Sequence, residues 1–138
     1  LKQGEKSMGF VAPDSLLGDR FLFPSEPLSW MTEEDLNFYA EEFHKAGFTG
    51  GLNRYRNVDR DWIDFRGWHG APILQPSMFI GGEKDGPTIL GASAIAGFKE
   101  SLPQLHSSTI LPDVGHWIQQ EAAEQVNELL TDFLKSVS

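Results

Sequence analysis

The sequence contains no cysteine among its 138 residues, so disulfide bonds, thiolate metal ligands and a cysteine nucleophile are all excluded. Basic residues are few, with 11 Lys and Arg against 20 Asp and Glu, and the net charge of -9 disfavours binding to nucleic-acid phosphates. No apolar run approaches the roughly 18 residues of a membrane span, and the N-terminus lacks the charged-then-apolar pattern of a signal peptide. We therefore expect a soluble, cytoplasmic protein without nucleic-acid or membrane partners.

Several motifs that mark functional sites are also missing. No two histidines have the His-Glu-x-x-His spacing of a helical metal site, which predicts that the chain binds no metal. Neither a Gly-x-Gly-x-x-Gly sequence nor a phosphate-binding Gly-Lys-Ser/Thr loop occurs, so no cofactor is expected. The Gly-x-Ser-x-Gly turn of serine hydrolases is absent, which leaves the chain without an evident nucleophile. We expect His44, His69 and His106 at the surface.

The length fits a single domain of about 100–200 residues, yet two features favour a part of something larger. The chain begins with Leu1 rather than Met, which is typical of a fragment or a processed product. Residues 1–31 carry many apolar side chains despite interruption by proline, and we expect them to need a surface to pack against. These side chains are Phe10, Val11, Leu16, Leu17, Phe21, Leu22, Phe23, Leu28 and Trp30.

The rest of the chain predicts helices and short strands. Thr32 followed by acidic residues indicates a helix start, and we predict a helix over 33–46 that Gly47 ends. The other predicted elements are a helix over about 50–63, a strand over 76–81, a helix over 88–100, a strand over 108–111 and a helix over about 119–135. Alternating strands and helices predict a parallel crossover in an α/β protein, although two strands do not make a self-sufficient sheet.

Two polar side chains follow the predicted strands, at the edge where open parallel sheets bind ligands. Asp85 lies in the loop after the first strand, and His116 lies in the loop after the second. A carboxylate beside an imidazole fixes the tautomer, orients the ring and stabilises the imidazolium after proton uptake. Each residue also has a structural interpretation, a turn for Asp85 and aromatic packing for His116. As a pair they would supply a base and its orienting acid, which is half of a hydrolytic site.

Three segments of the sequence carry a family resemblance. The run Gly50–Asn57 with the following Asp59–Trp62 resembles the lid-domain signature of epoxide hydrolases of the α/β-hydrolase fold. Gly81–Asp85 resembles their acid-bearing loop, and Asp113–Glu121 resembles their histidine motif, with the expected helix behind it. The resemblance runs from about residue 30 to the end of the chain and is closest to the bacterial type.

The resemblance implies an α/β fold: the C-terminal portion of an α/β-hydrolase core over residues 71–138, preceded by part of a helical lid over residues 1–70. It implies that an aspartate nucleophile opens an epoxide and forms an alkyl-enzyme ester, which water hydrolyses to a vicinal diol. In this catalytic triad His116 would activate the water and Asp85 would orient His116. Tyr55 would donate a hydrogen bond from the lid to the epoxide oxygen.

The implied partners are a small-molecule epoxide, water and the N-terminal half of the same enzyme, which would carry the nucleophile. A homodimer and a role in detoxification are compatible with the resemblance, and the isolated 138-residue chain is predicted to be inactive. Two departures from the family pattern are Arg54, where an aromatic side chain is common, and the continuation of Asp85 by Gly86 and Pro87.

Two other functions stay open at this point. A haloalkane dehalogenase or an ester hydrolase of the same fold would share the acid and the histidine but not the tyrosine-bearing lid segment. A non-catalytic fragment that docks onto another chain would fit the missing nucleophile and the apolar residues 1–31.

Overall fold

A computed structural model describes residues 25–138 of the chain. Most of the apolar residues that we expected to need a packing partner, from Phe10 to Phe23, lie outside the described residues. The predicted division into a lid over 1–70 and a core over 71–138 stays a prediction. Within the described part, no helix is both long enough and apolar enough to cross a membrane.

The first helix confirms its sequence signals. Helix α1 spans Glu33–Ala46, and Thr32 and Asp35 form a reciprocal capping box at its start. The Thr32 hydroxyl accepts the Asp35 backbone N–H at 3.1 Å, and an Asp35 carboxylate oxygen accepts the Thr32 backbone N–H at 2.9 Å. Gly47 ends the helix with a φ of 69°, a backbone conformation that favours glycine.

The single helix predicted over 50–63 is wrong, because the chain breaks at Asn57. Helix α2 spans Thr49–Arg56, helix α3 spans Val58–Asp64, and a 3-10 turn over Phe65–Trp68 follows. An ion pair of 2.6 Å between Arg54 Nη1 and an Asp61 carboxylate oxygen joins the two helices. Within α2, Arg56 Nη1 also donates to the Asn53 side-chain oxygen at 3.0 Å.

The two predicted strands form a parallel pair, and the predicted α/β class is confirmed. Strand β1 spans Ser77–Gly82 and strand β2 spans Leu105–Leu111, which is longer than predicted at its start. The register pairs Gly81 with Ile110 and Gly82 with Leu111, so both strands end side by side. The loops that leave them therefore begin next to each other.

The helices that follow each strand are interrupted. The helix predicted over 88–100 is three short helices, α4 over Gly86–Leu90, α5 over Ala92–Ala96 and α6 over Phe98–Ser101, with breaks at Gly91 and Gly97. The last helix divides at Ala122 into α7 over Ile118–Glu121 and α8 over Ala123–Ser136. The glycines explain the first two breaks, because glycine is a poor helix former.

A small apolar core forms where α8 meets the ends of the strands. Leu111, Val114 and Val126 are buried, and the half-buried side chains of Ile80, Ile118 and Leu129 pack against them. Helices α1, α2 and α3 bury no residue at all. Many large apolar side chains of the described residues stay exposed.

Candidate active site

Asp85 stands at the start of α4 and has two roles. Its Oδ2 accepts the backbone N–H of Thr88 at 3.0 Å and the Thr88 hydroxyl at 2.8 Å, which caps the helix. Its Oδ1 lies 2.7 Å from Nδ1 of His116. Asp85 is thus both the turn residue of the structural interpretation and the partner of the histidine. The sequence prediction that the two residues meet agrees with this geometry.

The electrostatics of Asp85 favour its charged form. The residue is only 8% exposed, and this burial raises the pKa of its carboxyl. The hydrogen bonds from Thr88 and His116 lower the pKa by more, so that it ends below its ordinary value. A carboxylate therefore faces His116 at neutral pH.

The carboxylate decides which nitrogen of His116 carries the proton. An ionised carboxylate can only accept a hydrogen bond, so Nδ1 must donate, and the neutral ring then keeps its lone pair on Nε2. Nε2 makes no hydrogen bond with residues 25–138, and the side chain is 61% exposed. The ring of Trp117 packs edge-to-face against the imidazole at a centroid distance of 5.3 Å. Nε2 is therefore placed to take a proton from a molecule outside the described fold.

Four further contacts bind the two loops to each other. The backbone N–H groups of Glu83 and Lys84 donate to the carbonyl oxygens of Leu111 and Val114 at 3.0 and 2.8 Å. The Lys84 ammonium lies 2.8 Å from an Asp113 carboxylate oxygen, and the Glu83 carboxylate accepts the Asp113 backbone N–H at 2.9 Å. The hydrogen bond and charge of Asp113 raise the pKa of Lys84, and those of Lys84 lower the pKa of Asp113. The acid and the histidine thus sit on loops that hold each other in place.

The close approach of the loops depends on glycine. A Cβ atom on Gly82 would overlap the carbonyl oxygens of Val114 and Gly115. A Cβ atom on Gly115 would come within 2.9 Å of a Glu121 carboxylate oxygen. A close approach of the chain was expected from the sequence at Gly115, directly before His116, whereas no local signal marks the requirement at Gly82.

Two residues that support the site were missed by the sequence analysis. Thr88 binds the Asp85 carboxylate through its hydroxyl and its backbone N–H. Glu121 accepts the backbone N–H groups of Gly115 at 2.7 Å and Trp117 at 2.9 Å, which are the two neighbours of His116. The Asp-x-x-Thr spacing at a helix start could have indicated the first, but nothing local in the sequence indicates the second.

An open cleft of about 360 Å³ borders the pair. Asp85 and His116 lie on its wall, which is otherwise mostly apolar and includes Phe79, Ile95, Phe98 and Ile118. This volume lies within the range of about 300–1,000 Å³ typical of small-molecule sites. An apolar cleft with a base on its wall can hold an uncharged organic group next to a water molecule.

Tyr55, the third residue predicted for the site, lies elsewhere. It is on α2, is 77% exposed and does not line the cleft. The described residues therefore bring together two of the three predicted site residues. His44, His69 and His106 are exposed, and residues 25–138 contain no group of three or more His, Asp and Glu side chains that could hold a metal ion.

Comparison with known proteins gives consistent results. The chain matches no family model. It is 46% identical over 124 residues to epoxide hydrolase B of Mycobacterium tuberculosis, a match that covers 90% of this chain and 35% of that protein. It is 39% identical over 123 residues to epoxide hydrolase 1 of Siraitia grosvenorii, which covers 86% of this chain and 39% of that protein.

Solved structures of epoxide hydrolases also superpose on this chain. An epoxide hydrolase from an endophytic Streptomyces superposes with a TM-score of 0.86 at 54% identity, covering 91% of this chain and 38% of that one. Epoxide hydrolase I of potato, Solanum tuberosum, superposes with a TM-score of 0.75 at 35% identity, covering 82% of this chain and 38% of that one. The chain thus spans a little over a third of the length of these relatives. On these identities and superpositions, the chain belongs to the epoxide hydrolase family of the α/β-hydrolase fold.

Proposed function

We propose that this chain supplies the water-activating half of an enzyme that hydrolyses epoxides to vicinal diols. The observation that carries the proposal is the 2.7 Å contact between Asp85 Oδ1 and His116 Nδ1, which leaves Nε2 as the basic nitrogen beside the cleft. The aspartate nucleophile would come from an N-terminal half outside this chain. We call the assembly of this chain with that half the complete enzyme.

The reaction runs in two steps. In the first, a carboxylate oxygen of the nucleophile attacks an epoxide carbon, the ring C–O bond breaks, and the released alkoxide takes a proton. In the second, His116 Nε2 takes a proton from water, whose oxygen attacks the ester carbonyl. The acyl C–O bond then breaks, and the departing alkoxide takes the proton from the His116 imidazolium, which completes the diol. The other water proton leaves the carboxyl group, which restores the nucleophile and replaces the proton consumed in the first step. Asp85 stabilises the imidazolium that forms in this second step.

Tyr55 is proposed as a donor to the epoxide oxygen in the first step. A phenol O–H directed at the oxygen stabilises the charge that develops as the ring opens. The support for this role is the likeness of the Gly50–Asn57 segment to the lid of epoxide hydrolases, together with the exposure of Tyr55, which leaves its hydroxyl accessible.

Replacement of the base tests the proposal in the complete enzyme. In H116Q the ester should form at the normal rate and then persist, because glutamine cannot take the proton from water. Intact mass spectrometry after rapid quenching would detect the ester as an added mass equal to that of the epoxide, since ring opening loses no atoms. H106Q is the matched control, because His106 is an exposed histidine on β2 away from the cleft. Normal turnover in H116Q would overturn the proposal.

The proposed substrate class is tested by the lid tyrosine. Y55F should slow ester formation from an epoxide. With a haloalkane the C–halogen bond breaks instead and the halogen leaves as a halide ion, which needs no proton from Tyr55. The comparison uses the same complete enzyme with styrene oxide and 1-bromobutane as probes. Rapid turnover of the haloalkane, with an epoxide rate that Y55F does not change, would assign the chain to a dehalogenase instead.

A further inference from the structure

The carboxylate of Glu121 accepts hydrogen bonds from the backbone on both sides of His116. Oε2 accepts the N–H of Gly115 at 2.7 Å, and Oε1 accepts the N–H of Trp117 at 2.9 Å. Hydrogen bonds to a charged acceptor are about twice as strong as neutral ones. Two of them, one residue before and one residue after the histidine, restrict the backbone that carries the imidazole.

From this geometry we propose that Glu121 is a positioning residue for the His116 base. The inference rests on the proposed function only for its effect on catalysis, since the two contacts to the histidine loop exist independently of it. Glu121 holds the loop so that Nδ1 of His116 meets Asp85 at the wall of the cleft. It touches no reacting atom.

The glycine before the histidine supports this assignment. A side chain at position 115 would push against the carboxylate, because its Cβ would lie 2.9 Å from Oε1 and 3.0 Å from Oε2 of Glu121. The glycine therefore permits the carboxylate to reach the backbone. The contact needs both Gly115 and Glu121, so a substitution of either residue should disturb the loop that carries His116.

A simpler role for Glu121 is to cap α7, because Trp117 precedes the first residue of that helix. A cap accounts for the bond to the Trp117 N–H. It does not account for the bond to Gly115, which lies two residues further from the helix. The two roles also differ in outcome: a cap alone changes the fraction of folded enzyme, whereas a positioning residue changes the rate of the step that His116 performs.

The test measures both chemical steps in the complete enzyme carrying E121Q. The amide offers one acceptor oxygen where the carboxylate offers two, so one backbone N–H loses its partner. Misplacement of a catalytic group by about 1 Å costs about 100-fold, and we expect ester hydrolysis to slow by about 10- to 100-fold with ester formation unchanged. E124Q is the matched control, since Glu124 is an exposed glutamate three positions further along that loses the same charge. G115A should slow the same step and carries the test if E121Q does not fold.

A second measurement is independent of the reaction. The Nδ1 proton of His116, hydrogen-bonded to a carboxylate, gives a far-downfield proton NMR resonance, which E121Q should shift or broaden while E124Q leaves it unchanged. Wild-type ester hydrolysis in folded E121Q, or an equal slowing of both steps, would overturn the role of Glu121. Failure of H116Q to trap an ester would instead overturn the proposed function, and the NMR comparison would still decide whether Glu121 positions the ring.

Discussion

The substitution D85N tests whether the carboxylate sets the tautomer of His116. The side-chain amide of asparagine has one acceptor oxygen and one NH₂ donor group, so it can accept from Thr88 or from a protonated Nδ1 of His116, but not from both. With its oxygen on the Thr88 donors, the NH₂ group faces Nδ1 of His116. Nδ1 must then be unprotonated, and the proton moves to Nε2, where it blocks the base. With the amide reversed, its oxygen accepts from a protonated Nδ1 of His116, but its NH₂ group faces the Thr88 backbone N–H. Two donors then face each other, and the helix cap is lost.

The magnitude follows from these two orientations. Reversing the amide gives up a helix cap worth about 1 kcal/mol, so the competent tautomer becomes the minor one. Loss of the charged partner removes a further 1.5–3 kcal/mol or so from the stabilisation of the imidazolium. The sum of about 2.5–4 kcal/mol corresponds to a slowing of ester hydrolysis by about 100- to 1,000-fold. The cap of α4 itself should be kept, because asparagine caps helices about as well as aspartate.

The assay is single-turnover ester hydrolysis in the complete enzyme, with the melting temperature measured alongside. D35N is the matched control, because Asp35 also accepts the backbone N–H and the hydroxyl of one threonine, Thr32, but contacts no histidine. Folded D85N that hydrolyses the ester at the D35N rate would refute the reasoning about the tautomer.

Three further outcomes are expected. The folded pKa of Asp85 lies below its ordinary value of 3.8. The charged carboxylate therefore stabilises the fold above that value, and this stabilisation is lost as the pH falls through the folded pKa. Asparagine does not titrate, so acid-unfolding curves of the complete enzyme should be flatter below about pH 4 in D85N than in wild type. G82A should lower both the melting temperature and the rate of ester hydrolysis, since its Cβ would overlap the carbonyl oxygens of Val114 and Gly115. G67A is the control and should change neither quantity, because a Cβ at position 67 has no atom within 4 Å. Equal effects of the two substitutions would contradict the packing argument. The isolated chain should hydrolyse no epoxide and show no cooperative melting transition in calorimetry, because its described residues bury only a small core; a sharp transition would show that the chain folds alone.

Predictions from the sequence succeeded where a local rule decides the structure. The capping box of Thr32 and Asp35 and the glycine at position 47 fix both ends of α1 without help from the rest of the protein. The pairing of Asp85 with His116 followed from topology, because loops that leave neighbouring parallel strands begin side by side. Both inferences needed only the order and the spacing of residues.

Predictions failed where the outcome depends on contacts distant in sequence or on small backbone changes. Periodicity carried the helix prediction through Asn57 and Gly91, although the chain turns at both positions. The role of Glu121 is invisible in the sequence because its partners are backbone N–H groups, which every residue type except proline possesses. The position of Tyr55 relative to the cleft depends on how α2 packs, and no local signal determines that.

The contacts that prepare His116 all lie between Gly82 and Glu121. Within this stretch the chain fixes the tautomer through Asp85, the backbone through Glu121 and the spacing of the loops through glycine. None of these contacts involves α1, α2 or α3. On the proposed mechanism, the reaction therefore divides along the sequence. Ring opening depends on the nucleophile and on Tyr55, which lie outside this stretch, whereas ester hydrolysis depends on a pair that the stretch assembles from its own residues. Substitutions within Gly82–Glu121 should accordingly slow ester hydrolysis, whereas substitution of Tyr55 or of the nucleophile should slow ring opening.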